Sequence, residues 1–426
     1  IRDRFICVTM LLICISGKAT ERNLLLIPYP QQVSIKQGNY NLTDNVKIGA
    51  DPLFTQELKK LQEVLTEDFG LKSQIVKPSK ADISLCYDAS FMQEEKEAYQ
   101  LEVTDMKITI RAQMATGIFY GIQSLRQLIK SEAGKWIIPK LTITDYPALS
   151  WRSFMLDEGR YFKGEKVVKQ ILDEMALLKM NVLQWHLTDD QGWRIEIKKY
   201  PRLTEIGAFR DSTQMEWYES HHYDGKPHGG FYTQTQIRSI IKYASERHIT
   251  IIPEIEMPGH SAAAIAAYPW LSATGKEIKV PCNFGVQYDV FNVTDPKVLN
   301  FLNDVIDEVT TLFSSGILHI GGDEVRYDQW NASSSVQKFI QEKGFSSASD
   351  IQVWFTNQMS KVIAQKGWRM MGWNDITGEK LHHFQSGDKE GTERLAPGTI
   401  VQFWKGDSDI LQRTAEQGQH LSLIHI

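Results

Sequence analysis

Cysteine is scarce in this chain, and the common signatures of metal, nucleotide and nucleic-acid sites are missing. Four cysteines occur in 426 residues. Cys7 and Cys14 sit in an N-terminal stretch of leader-like composition, while Cys86 and Cys282 lie far apart and read as two free, buried thiols. There is no GxxxxGK[ST] phosphate loop and no GxGxxG following a strand, which removes the usual nucleotide folds. HExxH and comparably spaced ligand sets are absent, so neither a metal nor another cofactor is expected. A net charge of −5 gives no electrostatic reason to expect nucleic acid or an anionic membrane as partner. The apolar run at 5–15 is too short to serve comfortably as a permanent transmembrane anchor.

That run has another use. Arg2 and Arg4 precede it and the small residues Ser16, Gly17 and Ala19 follow it. A basic, apolar and small-residue succession is that of a signal peptide, here 1–19, and implies export to a periplasm or the extracellular space. The remainder is too long for a single core of ordinary size, so two domains are expected. Eleven tryptophans serve mostly as core, although flat indole faces also make sugar platforms.

Residues 24–146 alternate short apolar runs (46–48, 83–86, 107–110) with turns, and show helical periodicity at 58–69 and 115–129. This is a small α+β domain, ending near Asp145-Tyr146-Pro147. From Trp151 onward the pattern is a short apolar run, a polar loop and an amphipathic helix, repeated. The runs are 153–156, 181–187, 249–255, 317–320, 370–373 and 400–404; the helices are 165–179, 235–247, 296–314 and 349–365. Such alternation predicts an α/β domain of parallel strands with crossover helices. An open doubly wound sheet gathers its chemistry at one switch point. Here polar residues follow nearly every strand: Asp157 and Arg160, His186 and Asp189, Glu254 to His260, Asp323 and Glu324, Trp373, Trp404. A ring of this kind belongs to the C-terminal face of a (β/α)8 TIM barrel. Six strands are clear over 147–426, and the tail at 418–426 offers the start of a seventh, so the barrel is expected to be truncated.

The sharpest local motif is Leu318-His319-Ile320-Gly321-Gly322-Asp323-Glu324. An apolar run ends in two glycines, which let the backbone pass close to a ligand, and then in two adjacent acids. Crowded like charges raise at least one pKa, holding one acid protonated near neutral pH while its neighbour stays ionised. Two further segments run from Trp185 to Arg194 (Trp-His-Leu-Thr-Asp-Asp-Gln-Gly-Trp-Arg) and from Pro253 to His260 (Pro-Glu-Ile-Glu-Met-Pro-Gly-His). An aspartate and a histidine from two strand ends can orient one another. The adjacent pairs His221-His222 and His382-His383 read as loop residues.

In this order, together with Ala115-Thr116-Gly117-Ile118-Phe119-Tyr120-Gly121, read as a turn, and Leu156-Asp157-Glu158-Gly159-Arg160, these motifs give the chain a resemblance to glycoside hydrolase family 20, the β-N-acetylhexosaminidases, from about residue 24 to at least Trp404. Bacterial exported members are the most similar. The resemblance implies exo-acting, retaining hydrolysis of terminal N-acetylhexosamine from an oligosaccharide or glycoconjugate, by attack of the substrate's own acetamido oxygen. It implies Glu324 as general acid and base, Asp323 as the group that orients the acetamide, and His260 with Asp189 as a supporting pair. Arg160 then holds distal hydroxyls, Trp373 and Trp404 wall the pocket, and His186 lies among the substrate-binding residues. Gln184 and Tyr161 stand where relatives often carry histidine, and the family's late Tyr–Asp pair, Trp and Glu find no counterpart. The expectation is an active intact gene product and an inactive fragment. Three other readings stay open: a two-carboxylate glycosidase indifferent to the acetamide, an inactive sugar-binding barrel, and a metal-dependent barrel enzyme.

Overall fold

The structure is a computed structural model that describes residues 24–90, 96–385 and 391–423. The leader expected at 1–19 lies outside the described residues. The chain divides into two compact units, Ile1–Pro147 and Ala148–Ile426.

The first unit is built on an eight-stranded mixed sheet. Its order is Gln32–Asn41, Lys135–Asp145, Tyr99–Val103, Ile108–Ala112, Ile83–Tyr87, Asn45–Ala50 and Lys72–Ile75, with short Lys130–Glu132 beside Lys135–Asp145. Helices Thr55–Glu67 and Ala115–Leu128 pack on the sheet and on each other. The Ala115-to-Gly121 string expected to be a turn is the start of the second helix. Its glycines are there for close approach. A Cβ on Gly117 would stand 2.2 Å from the Ala98 carbonyl oxygen, and one on Gly121 would stand 2.4 Å from Ile110 Cγ2.

The second unit carries seven strands in one sheet: Ser153–Asp157, Val182–His186, Thr250–Glu254, Ile317–His319, Arg369–Trp373, Ile400–Phe403 and His420–Leu423. All are parallel and each pairs with its predecessor in sequence. The curled sheet is an incomplete TIM barrel, and an order without reversal rules out the doubly wound alternative. The seventh strand falls within the tail where sequence allowed one. Crossover helices include Glu165–Leu177, Gln234–Ser245, Pro296–Leu312, Ala348–Gln365 and Ser408–Glu416. Their starts are locally encoded. Thr233 and Gln236 form a capping box, and Asp295 caps Lys297 N ahead of Pro296 at the first helical position. Each such cap stabilises by about 1 kcal/mol.

Strand register positions the polar groups. His186 lies opposite Asp157 on one side and Glu254 on the other, and Glu254 lies opposite His319. The parallel pairing therefore brings chemistry-bearing strand ends level. Cys86 and Cys282 are free thiols, half-buried rather than buried as expected. Among the described residues no helix is long and apolar enough to cross a membrane.

Candidate active site

Local structure first places Asp323 and Glu324. After the fourth barrel strand the chain turns through Gly321 (φ 63°) and Gly322 (φ 86°). The glycines do not clear space for a ligand, as the sequence suggested. A Cβ on Gly321 would fall 1.7 Å from Glu256 Oε2, and one on Gly322 would fall 2.4 Å from Ile376 Cγ2. They let the turn press against the third and fifth strand loops. Glu324 itself has φ 51° and His260 has φ 47°, left-handed conformations that cost a non-glycine residue about 1–3 kcal/mol. Such strain persists where the surroundings dictate it.

Those surroundings form a continuous polar chain across the strand ends. Arg160 Nη1 lies 3.2 Å from Asp157 Oδ2, and Arg160 Nε lies 2.8 Å from Asp189 Oδ2. His186 Nε2 stands 3.3 Å from the same Asp189 oxygen and 3.4 Å from Glu256 Oε1. His260 reaches further. Its Nδ1 is 3.0 Å from Asp190 Oδ2 and 3.4 Å from Asp189 Oδ1. Its Nε2 is 3.5 Å from Asp323 Oδ2 and 3.4 Å from Glu324 Oε2. One buried imidazole thus touches both acids of the Asp-Glu pair. Beneath, Glu254 takes hydrogen bonds from Gln184 Nε2 (2.7 Å) and Trp373 Nε1 (2.9 Å), with His319 Nδ1 at 3.1 Å. Trp404 meets Trp373 edge-on, centroids 6.4 Å apart, and its Nε1 donates to Asp375 Oδ2 at 2.9 Å.

Burial of so many charges makes their protonation interdependent. Burial works against a charged His260, but Asp189 and Asp323 outweigh it, so its pKa lies well above the ordinary imidazole value and the ring is an imidazolium at neutral pH. For His186 burial is likewise outweighed, by Glu254 and Asp157, and its pKa rises to about 9. Burial would raise Asp323, yet His260 and Arg160 bring it below the usual carboxylate range. Asp189 is lowered further against burial, by Arg160 and His260. The carboxyl pushed up is Glu256, by burial and then by the Asp323 and Glu254 charges, well above the ordinary range. The two neighbouring carboxyls are thus pushed in opposite directions, Glu256 up and Asp323 down.

Comparison with known proteins gives the same outline. The model for the glycosyl hydrolase family 20 catalytic domain matches residues 149–424, and that for domain 2 of the family matches 23–146.

The chain belongs to glycosyl hydrolase family 20.

It is 37% identical to a beta-hexosaminidase of Porphyromonas gingivalis, over 94% of this chain and 51% of that protein. It is 34% identical to a beta-hexosaminidase of Vibrio furnissii, over 93% of this chain and 62% of that one. The chain therefore spans roughly half to three-fifths of the length of these two relatives. Among solved structures, beta-N-acetylhexosaminidase from Bacteroides fragilis superposes with a TM-score of 0.77 at 32% identity, covering 93% of this chain and 74% of that one. The exo beta-N-acetylglucosaminidase of Vibrio harveyi in complex with N-acetylglucosamine gives 0.78 at 29%, covering 93% and 60%.

In this family 20 chain the structure gathers Arg160, His186, Asp189, His260, Asp323 and Glu324 into one network, with Trp373 and Trp404 bound at its edge. The expected His260–Asp189 pair is present, with His260 Nδ1 3.4 Å from Asp189 Oδ1. The same nitrogen lies closer to Asp190, at 3.0 Å, a partner that sequence reasoning does not name. Asp189 also holds Arg160 and His186. Sequence reasoning places Glu256 among the strand-end polar residues without a role in this network, and it misses His319, Asp375 and His382 as members of the site. Glu256 and His319 lie inside the strand-end motifs, and Asp375 follows Trp373 by two residues. The other paired histidines, His221 and His222, are exposed loop residues. Gln184 fills its histidine-like position by bonding Glu254, and Tyr161 stacks on His228 with centroids 3.9 Å apart.

Three groups bring ligand-type atoms within 4.8 Å of one another: His186 with Glu254 and Glu256, Asp189 with Asp190 and His260, and His260 with Asp323 and Glu324. Within each group the histidine also lies within ion-pair distance of its carboxylate neighbours.

Proposed function

We propose that the chain supplies the catalytic centre of an exo-acting β-N-acetylhexosaminidase, cleaving terminal N-acetyl-β-hexosamine with retention through the substrate's own acetamide. The observation that carries this reading is the shared imidazole: His260 Nε2 lies 3.5 Å from Asp323 and 3.4 Å from Glu324, so one residue stands beside both acids. Family membership and the beta-hexosaminidase names of the relatives support the substrate class.

The chemistry is the one that the family resemblance implies. The acetamido carbonyl oxygen attacks the anomeric carbon as Glu324 gives its proton to the departing glycosidic oxygen. The resulting oxazolinium carries positive charge, which the ionised Asp323 opposes and orients through the amide N–H. Glu324, now a carboxylate, takes a proton from water as that water attacks the anomeric carbon and reopens the ring, and configuration is retained. Arg160, pinned by Asp157 and Asp189, is placed to hold sugar hydroxyls. Trp373 and Trp404 form the wall against the acetamido methyl.

The test is hydrolysis by the full-length protein of an aryl N-acetyl-β-glucosaminide beside the matching plain glucoside. Turnover of the first alone, lost by about 10²–10⁴-fold in Glu324→Gln and in Asp323→Asn, is expected. Equal turnover of both glycosides points to a conventional two-carboxylate enzyme, and binding without turnover to an inactive barrel. The succession at 1–19 supports export as well; N-terminal sequencing of protein from cell fractions checks it, and an uncleaved cytosolic product sinks it.

A further inference from the structure

The loop after the fifth barrel strand carries a second histidine–aspartate pair, buried against Glu324. Asp375 follows Trp373 in a tight turn, Asn374–Thr377. Its Oδ1 accepts from the Glu324 backbone N–H at 3.2 Å and lies 2.7 Å from His382 Nε2. Its other oxygen accepts from Trp404 Nε1. His382 is 6% exposed although it sits in a loop. Its ring lies parallel to Phe384, centroids 5.0 Å apart at 10°, and tilts over Trp404 at 5.9 Å. A carboxylate at Nε2 fixes the proton there and leaves Nδ1 facing outward from the pair. That Nδ1 is 3.1 Å from Lys405 Nζ and 3.6 Å from Glu324 Oε1.

An imidazole thus stands near each oxygen of Glu324, His260 3.4 Å from Oε2 and His382 packed 3.6 Å from Oε1, beyond hydrogen-bond distance. Asp375 grips the arrangement twice, through the Glu324 main chain and the His382 ring. Glu324 has left-handed backbone and a side chain that is 23% exposed, so without such contacts its carboxyl could swing among rotamers. We propose that Asp375 and His382 form a positioning pair for Glu324, holding its carboxyl where it meets the glycosidic oxygen. This rests on the acid–base reading of Glu324 given above.

A positioned acid matters in proportion to how badly the leaving group needs a proton. The full-length protein and its His382→Ala and His382→Gln variants should be compared on N-acetyl-β-glucosaminides with a dinitrophenyl and with an alkyl leaving group. Misplacing the acid should lower kcat on the alkyl glycoside by about 10–100-fold and leave the dinitrophenyl glycoside within about threefold, with KM little changed on either. Imidazole added to the His382→Ala variant should restore part of the lost alkyl turnover. Equal losses on both substrates, or none on either, overturn the proposal in favour of simple packing. Should His382→Ala fail to fold, His382→Gln and Asp375→Asn carry the same comparison. Glu324→Gln serves as the reference: if it does not discriminate between the leaving groups, the acid assignment itself has failed and the positioning role falls with it.

Discussion

Both units bury an apolar core, but only the second also buries a cluster of charged groups at its strand ends. In the first, inward strand positions hold Val46, Ile48, Ile83, Leu85, Leu101, Val103, Ile108 and Ile110, all without solvent exposure. In the second, the strand ends bury Glu254, His319, His186 and Asp189 almost as completely. Apolar burial stabilises by roughly 25 cal/mol per Å² whatever the neighbour. Burying a charge costs several kcal/mol, which only a correctly placed counter-charge offsets. The first interior tolerates any residue of the right size and polarity; the second demands particular partners at particular atoms.

Three experiments can break or sharpen this contrast. The largest effect is expected from His260→Ala, which leaves Asp189, Asp190, Asp323 and Glu324 without their common cation. Activity should fall by at least about 10²-fold, and urea titration should show a loss of about 3–5 kcal/mol. A variant that is inactive yet fully stable would mean that the pairing does not offset the cost of burying the network. Next, Leu101→Ala in the first unit should cost about 2–5 kcal/mol of stability by the same titration. Its kcat should be unchanged while the protein remains folded; a kcat defect would blur the division.

The smallest effect concerns pH. His186 titrates near 9 in the folded protein against about 6.5 unfolded. Between those values the native state holds a proton that the unfolded state has released, so rising pH favours unfolding. The stability contributed by His186 is complete below about 6.5 and is lost as pH climbs through the folded value. Melting temperature should therefore fall from about pH 6.5 to about pH 9.5 in the wild type and fall less steeply in His186→Gln. Parallel curves would show that the His186 proton is not linked to folding.

Much of the frame is legible from residue order. Six parallel strands come from apolar runs such as 181–187 and 249–255, because buried strands are apolar over their whole length. The Asp323-Glu324 pair is legible because two glycines and two acids directly after an apolar run form a compact local signal. Less legible is the identity of hydrogen-bond partners. His260 meets two adjacent aspartates, Asp189 at 3.4 Å and Asp190 at 3.0 Å, and alternation along the chain does not say that both reach it. His382 escapes sequence reasoning for a related reason. It does lie in a loop, and only the fold shows that the loop is tucked under Phe384 and Trp404 beside Glu324.

By itself the sequence determined the βα repeat, the helix caps at Thr233 and Asp295, and the set of side chains delivered to the strand ends. These depend on neighbours a few residues away, through sterics and local hydrogen bonds. Tertiary structure alone decided that burial and neighbouring carboxylates push Glu256 up while His260 and Arg160 pull Asp323 down, that His260 meets Asp190 as well as Asp189, and that Glu324 lies between two imidazoles. Such outcomes depend on burial and on distances of 3–4 Å between residues from different βα units. No local pattern encodes those distances, because they arise when the sheet curls and brings the strand ends together.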